Sequence, residues 1–432
     1  MKSRRVLIGF TTFILLAVSS VGSAQSTAIV GGTAVTMGPQ GTVENATIVI
    51  DNGQFISVTA DGAVPDGATV IDASGKIVTP GLFTPIGSLG LVEVGFSAGP
   101  LDQLQRGEEF TASFDIADAY NPRSTLIAVN RIEGVTRAVI VPSPGFPDES
   151  GSSGSVLAGL AAMVNLGGGD DSVERRSVAM MVSLGQGGSG LAGGSRAGAI
   201  LELRAALDEA QSYGDDPGER EDYKLSLSDL DALQGVLNGD VPIYVNVNRA
   251  SDISVLIDLV DEYGLNAIIV GGSEAWMVAG DLAAAGIPVV LAPQDILPGS
   301  FDRINARRES AAMLADAGVT IAFADGQSQT YNARNITQSA GNAVAYGLSR
   351  DDALRAITIA PAEIFSVADR VGSIEVGKEA DVVIWPADQL ELTSYPEQVY
   401  IKGNAVEMTS RQTLLRDRYL QTDSDKPPAY RR

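Results

Sequence analysis

The 432-residue sequence contains no cysteine and no histidine. Without cysteine there is no thiolate nucleophile, no disulfide and no thiolate ligand for a metal. Without histidine the chain lacks the side chain that titrates near neutrality and the commonest metal ligand. Ser-His-Asp hydrolases, cysteine proteases, disulfide oxidoreductases and conventional zinc hydrolases are excluded by that inventory. Positive charge is scarce too: 30 Lys plus Arg stand against 53 Asp plus Glu, a formal net charge of −23. A body of that sign repels phosphate backbones and anionic headgroups, so no nucleic-acid partner is expected.

What is present is the composition of a folded protein, 45% hydrophobic and 19% charged, with room for two or three domains at about 150 residues each. Lys2, Arg4 and Arg5 precede an apolar run from Val6 to Val18, followed by Ser19, Ser20, Gly22 and Ala24. That order of charge, apolar run and small residues predicts a secretory signal peptide over 1–24, cleaved after Ala24. Cleavage removes three basic residues and no acidic one, leaving 27 against 53, or −26. The run is shorter than the ~20 residues of a spanning helix. No second apolar span follows, so no membrane span is expected in the mature chain, and a periplasmic or secreted location follows. A core of this size needs no disulfides there.

Short β-prone runs occupy Ala28–Val30, Ala46–Ile50, Gln54–Val58 and Thr69–Ile71, split by turn signals at Asp51-Asn52-Gly53 and Asp61-Gly62. They predict a small β domain over 25–80. From about Ser177 strands and amphipathic helices alternate: strands at Ile243–Val247, Ala267–Val270, Val289–Ala292 and Thr320–Ala324, helices at Ser251–Tyr263, Ser273–Ala285 and up to Ala317. Ile253, Leu256, Ile257 and Val260 line one helical face at i, i+3, i+4, i+7. Gly264, Gly286 and Gly318 end the three helices, each followed by an aliphatic run, which reads as a C-cap feeding a buried parallel strand. Repetition of this unit over 81–360 favours a closed (β/α)8 TIM-like barrel over an open doubly wound sheet. Short strands return within 361–410, at Val371–Glu375, Asp381–Ile384 and Val399–Ile401, and the polar tail 411–432 reads as a loose helix.

Two segments point to a family. Ile71-Asp72-Ala73-Ser74-Gly75-Lys76-Ile77-Val78-Thr79-Pro80-Gly81-Leu82-Phe83 resembles the segment leading into the barrel of the amidohydrolase superfamily. Ala360-Pro361-Ala362-Glu363-Ile364 with Asp369 to Trp385, including Gly377-Lys378-Glu379-Ala380-Asp381, resembles the segment leaving it. The resemblance implies a metal-dependent hydrolase fold of the imidazolonepropionase-like kind, a barrel flanked by a composite β-sandwich built from both termini. It also implies ligand positions: an aspartate and a His-x-His pair on the first strand, a carboxylated lysine, two further histidines and a last-strand aspartate. Here Thr84 takes the first aspartate position, and Ile86 and Ser88 take the His-x-His positions. Asn246 and Gly271 take those of the later histidines, and Asp325 is the one survivor. Between Gly81 and Ala360 the only lysine is Lys224, in a polar helical stretch. A hydrolytic zinc site needs about three protein ligands and an open position for water. The ancestral zinc site is therefore read as lost and no cofactor is expected.

Other constellations leave alternatives open. Gly185-Gln186-Gly187-Gly188-Ser189-Gly190 matches G-x-G-x-x-G, with Glu202 and Asp208 downstream as ribose ligands, but a flexible loop over the barrel mouth suits a chain of 48 glycines better. Glu274, Asp295 and Asp325 follow strands, so they either share a cleft for acid–base chemistry or cap helices and pair with Arg249, Arg303 or Arg307. The same oxygens suit Ca or Mg. Trp276 reads as core packing or a subunit contact. Three functions result. The first is a non-catalytic partner subunit, in a hetero- or homo-oligomer, of an amidohydrolase relative that kept its histidines. The second is a hydrolase of carbon–nitrogen bonds using Asp325 and an oxygen-ligand metal. The third is a small-molecule binder in a vestigial pocket formed by Asn246, Asn248, Arg249 and Asp325, where Arg249 would pair with a ligand carboxylate.

Overall fold

The computed structural model describes residues 26–93, 101–104, 110–144, 154–218, 220–295, 297–324 and 332–420. The expected leader 1–24 and Asp325 lie outside the described residues. Strands β1 (Thr27–Val35), β2 (Thr42–Asp51), β3 (Gln54–Ala60), β4 (Thr69–Asp72) and β5 (Ile77–Pro80) come first. The barrel strands follow: β6 (Leu82–Gly87), β7 (Val135–Ile140), β8 (Leu157–Asn165), β9 (Val173–Ser183), β10 (Ile243–Val247), β11 (Ala267–Gly271), β12 (Val289–Leu291) and β13 (Ile321–Phe323). Last come β14 (Val382–Trp385), β15 (Gln398–Ile401) and β16 (Asn404–Ala405). The helices are α1 (Thr125–Arg131), α2 (Gly185–Leu191), α3 (Arg196–Asp215), α4 (Leu227–Leu237), α5 (Ala250–Tyr263), α6 (Ala279–Ala285), α7 (Ser310–Asp316), α8 (Ile336–Ala345), α9 (Arg350–Arg355), α10 (Ile359–Ile364) and α11 (Arg411–Leu420).

Both ends of the chain share one bent sheet, ordered β16-β15-β14-β5-β1-β2-β3, with β4 also on β1. Strand β1 changes partner midway: Thr27–Val30 pair in parallel with Thr69–Asp72, and Thr33 and Ala34 with Ile77 and Val78. Gly31 and Gly32 sit at the change. Gly31 has φ +80°, and a Cβ on Gly32 would lie 3.0 Å from both Ala73 and Val78, so side chains there would block the switch. The sheet folds over its own core of Ile29, Ile48, Phe55, Val78, Val382 and Ile384. The composite β domain expected from both termini is present, its strands joined in one hydrogen-bonded sheet. The expected strand Val371–Glu375 does not form. Gly372 turns at φ +93° against Ile359, although Ile374 N still donates to Thr36 O at 2.8 Å.

The second sheet runs β6 to β13 in chain order around a nearly closed barrel. Residues Ala356 and Ile357 bridge the gap: Phe323 N donates to Ala356 O and Phe83 N to Ile357 O, each at 2.9 Å. One strand runs against the rest, since β8 is antiparallel to both β7 and β9. Only residues 166–172 separate β8 from β9, too few for the crossover a parallel pair requires. Phe83, Val139, Met163, Met181, Tyr244 and Ile268 fill the barrel interior. Tyr244 sits among them and donates its hydroxyl to Pro85 O at 3.1 Å, and burial pushes its pKa well above the ordinary value. The helices pack outside on a larger core that includes Leu203, Leu207, Leu230, Leu256 and Leu314. Left-handed Gly264 and Gly286 close α5 and α6, and Gly318 follows α7 at φ +86°. No helix among the described residues is long and apolar enough to cross a membrane.

A buried ion cluster joins sheet to barrel. Arg137 on β7, 1% exposed, pairs with Asp381 and Glu379 at 2.6 Å each and with Glu174 on β9. Lys402 reaches Glu174 at 2.7 Å, and Arg370 pairs with Glu379. Burial works against the Arg137 charge, but the three carboxylates outweigh it and its pKa stands above the ordinary value. Burial likewise favours protonated Glu379, yet Arg137 and Arg370 hold that carboxyl below its usual 4.5. A carboxyl whose folded pKa is depressed contributes stability above its unfolded pKa and loses it as pH falls through the folded one. Arg137→Met, which strands three carboxylates, is expected to cost about 3–5 kcal/mol in urea unfolding. Glu379→Gln should lower the thermal midpoint at neutral pH and flatten its decline below pH 4.5; an unchanged acid limb would contradict the assignment.

Candidate functional site

The C-terminal ends of barrel strands converge on one mouth, where active sites of such barrels form. On β6, Thr84 is buried and its hydroxyl turns onto Ile86 O at 3.1 Å. Ile86 packs as an aliphatic against the barrel interior, and Ser88 is buried just past the strand. Strand β9 ends at Ser183. On β10, Asn246 pairs in register with Ser183 and Val270. Its side chain makes no hydrogen bond among the described residues.

Asn248 lies two residues on, buried, and its Oδ1 accepts from Ser273 Oγ at 2.9 Å. Its backbone oxygen accepts from Glu274 N at 2.9 Å. Gly271 has φ +93°, and a Cβ there would stand 2.7 Å from Asn248 Oδ1. At Gly271 a side chain would thus meet both backbone strain and an occupied space.

Of the three carboxylates that follow strands, Glu274 and Asp295 take the capping and ion-pairing alternative, and Asp325 lies outside the described residues. Glu274 is buried and accepts from Ala250 N at the start of α5, and from both Asn305 N and Asn305 Nδ2, all at 3.0 Å. Asp295 pairs with Arg303 at 3.0 Å. Arg249 is exposed as the N-cap residue of α5. Trp276 donates Nε1 to Asn305 O at 2.9 Å and carries Arg307 over its ring at 4.9 Å. Together these contacts clamp the segment 301–308 over the β10–β11 edge. Its outer side leaves Phe301 84% and Ile304 55% exposed.

One cluster was not found from sequence. Arg196, which opens α3, bridges Asp252 at 3.1 Å and Asp302 at 2.6 Å, and Asp302 Oδ2 also accepts from Gln186 N at 3.1 Å. Burial raises the pKa of Asp252, Arg196 opposes this, and the neighbouring Asp302 charge adds to the rise. The three residues are 50 to 106 positions apart, so no local motif could mark them. They also decide the glycine-rich run, which forms helix α2 rather than a flexible loop. The protein's own Asp302 carboxylate sits at its first turn, where a phosphate would bind.

Between α2, β10 and the 299–303 segment lies a pocket of about 390 Å³ lined by Gln186, Asn246, Asn248, Ser300, Asp302 and Arg303. Its donors are amides, a hydroxyl, and charges largely neutralised by each other. Among the described residues, no three of the Asp and Glu side chains gather into a group that could hold a metal ion. Zinc takes imidazole, thiolate and carboxylate. The side chains at Ile86, Ser88, Asn246 and Gly271 do not fit it.

With this geometry in view, likeness to known proteins is informative. A model of the amidohydrolase family matches residues 252–406. The amidohydrolase tasK of Hapsidospora irregularis is 24% identical over 377 residues, which take in 79% of this chain and 37% of that protein. The chain therefore spans well under half the length of this relative. An amidohydrolase from Thermotoga maritima MSB8 superposes with TM-score 0.79 at 24% identity, over 88% of this chain and 99% of that one. A prolidase complexed with N-methylphosphonate-L-proline gives 0.54 at 17% identity, over 89% and 100%. Molinate hydrolase gives 0.54 at 16%, over 89% and 95%. The fold is that of these barrels, and residues 252–406 match the amidohydrolase family.

Gly271→Ala is expected to destabilise by about 1–3 kcal/mol, read from the urea midpoint, because it adds strain at positive φ and displaces Asn248. Gly271→His should bring no zinc binding in a calorimetric titration; stoichiometric zinc uptake would refute this account of the position.

Proposed function

We propose that this chain is an exported amidohydrolase-family protein that has lost the metal-activated water of its relatives and serves as a non-catalytic subunit beside a relative that kept its histidines. The observation that carries the reading is the replacement of ligands at Ile86, Ser88, Asn246 and Gly271, in a chain with no imidazole or thiolate anywhere. Activation of water by zinc lowers its pKa to ~7 and requires a firmly held ion. Amide and hydroxyl oxygens hold zinc weakly. Export rests on the basic, apolar and small-residue order of residues 1–24. Association draws support from the clamped mouth segment, whose outward Phe301 and Ile304 are costly to leave in water.

A second reading has its own observation. The Asn246 amide faces a pocket of about 390 Å³ without an internal partner, a volume that suits a small polar ligand.

Metal analysis of the purified protein, with a screen of amides, dipeptides and lactams, is expected to find neither bound zinc nor turnover. Chelator-sensitive cleavage would overturn the proposal and restore the hydrolase alternative with Asp325 at its centre. Affinity purification from the native host should recover a histidine-bearing amidohydrolase, identified by mass spectrometry, and Phe301→Ser should weaken its recovery. A thermal-shift panel of small metabolites tests the second reading, and Asn246→Ala should abolish any shift.

A further inference from the structure

Helix α11 has ten residues, none of them buried. Helices this short are marginal in water by themselves, because the nucleating turn costs more than so few hydrogen bonds recover. Its ties to the body are few: Thr413 N donates to Ser410 Oγ at its start, and Arg334 donates to Gln412 Oε1 at 3.0 Å. Leu414, Tyr419 and Leu420 are 61%, 56% and 68% exposed. Arg411, Leu414, Leu415 and Arg418 fall at i, i+3, i+4 and i+7, so two leucines between two arginines form one stripe. Arg416 pairs with adjacent Asp417 at 2.7 Å, whereas Arg411 and Arg418 make no ion pair among the described residues. Three arginines against one aspartate give α11 a net charge of +2, on a chain of −23.

We propose that α11 is an exchanged arm, docking its Arg411–Leu414–Leu415–Arg418 stripe on the acidic outer helices of a second copy of this chain. Charge selects the acceptor. Packing α11 against its own counterpart antiparallel would bring Arg411 of one copy to Arg418 of the other. Helix α5 instead carries no basic residue; its Asp252 and Glu262 are paired with Arg196 and Arg204, and its Asp258 and Asp261, exposed one turn apart, are the carboxylates that face solvent. Mutual donation of arms closes a two-fold dimer with no free interface left to propagate. This surface is separate from the barrel mouth, and the inference stands whether or not the chain also pairs with a relative.

The test is sedimentation velocity on the purified full chain through a dilution series. A dimer of twice the chain mass is expected, shifting toward monomer in about 1 M salt, where the screening length falls to ~3 Å. Leu414→Ser/Leu415→Ser and Arg411→Glu/Arg418→Glu should each give monomers with an unchanged thermal transition of the body, since all four side chains lie outside the core. Adding Asp258→Lys/Asp261→Lys to the second variant should restore the dimer. A monomeric wild type, or a dimer indifferent to both double variants, overturns the arm. Failure of the charge swap to restore dimerisation overturns α5 as its seat.

Discussion

The clamp around Arg137 is the constraint on which the architecture turns. A guanidinium 1% exposed survives only where carboxylates meet it in fixed geometry, and the three that do come from β9 and from residues 379–381. Strand β7 therefore cannot settle in the barrel until the C-terminal segment has returned to dock beside β5. Pairing of β14 with β5 over Val382–Trp385 and Ile77–Pro80 completes the same event in hydrogen bonds. Three cations, Arg137, Arg370 and Lys402, balance Glu174, Glu379 and Asp381, so the cluster is neutral although the protein is strongly acidic. Sheet and barrel are thus one cooperative structure, which explains why chain segments some 300 residues apart both carry the family resemblance.

The two ends of the barrel then follow different rules. At the clamp every buried charge has an opposite charge within hydrogen-bonding distance. At the mouth, where family members place ligands for ions, the polar groups are spent on one another. Glu274 caps α5 and holds Asn305, Asp302 holds α2 and α3 together with Arg196, and Asn248 ties β10 to β11. A carboxylate accepting three N–H bonds has little lone-pair capacity left for an ion. The mouth is thus closed into a structural network among the described residues, and the Asn246 side chain, which makes no hydrogen bond there, lines the remaining pocket.

Much of this was legible in residue order. The barrel, the returning strands near Asp381 and Val399, and the left-handed caps at Gly264 and Gly286 follow from periodicity and glycine placement, both local properties. Reversal of β8 was not legible, because Leu157–Asn165 is buried on both faces and a continuous apolar strand reads alike in either direction. Missing too was the Arg196–Asp252–Asp302 bridge, an arrangement made by tertiary proximity. The run at Gly185 shows how composition misleads: many glycines suggested a loose loop, but a carboxylate from 116 residues away supplies the acceptor its first turn lacked.

That bridge bears on whether the mouth can take an ion. An ion at the strand ends would compete with Arg196 for Asp302 and with Asn305 and Ala250 for Glu274, breaking contacts that now hold α2, α3 and α5 in register. Gly271 adds a steric term, because a side chain placed there must displace the Asn248 amide, which in turn releases the Ser273 hydroxyl. The contacts of Glu274, Asp252 and Asp302, and Asn248 all meet around the start of α5 and the ends of β10 and β11, so changes at these neighbouring sites are not additive.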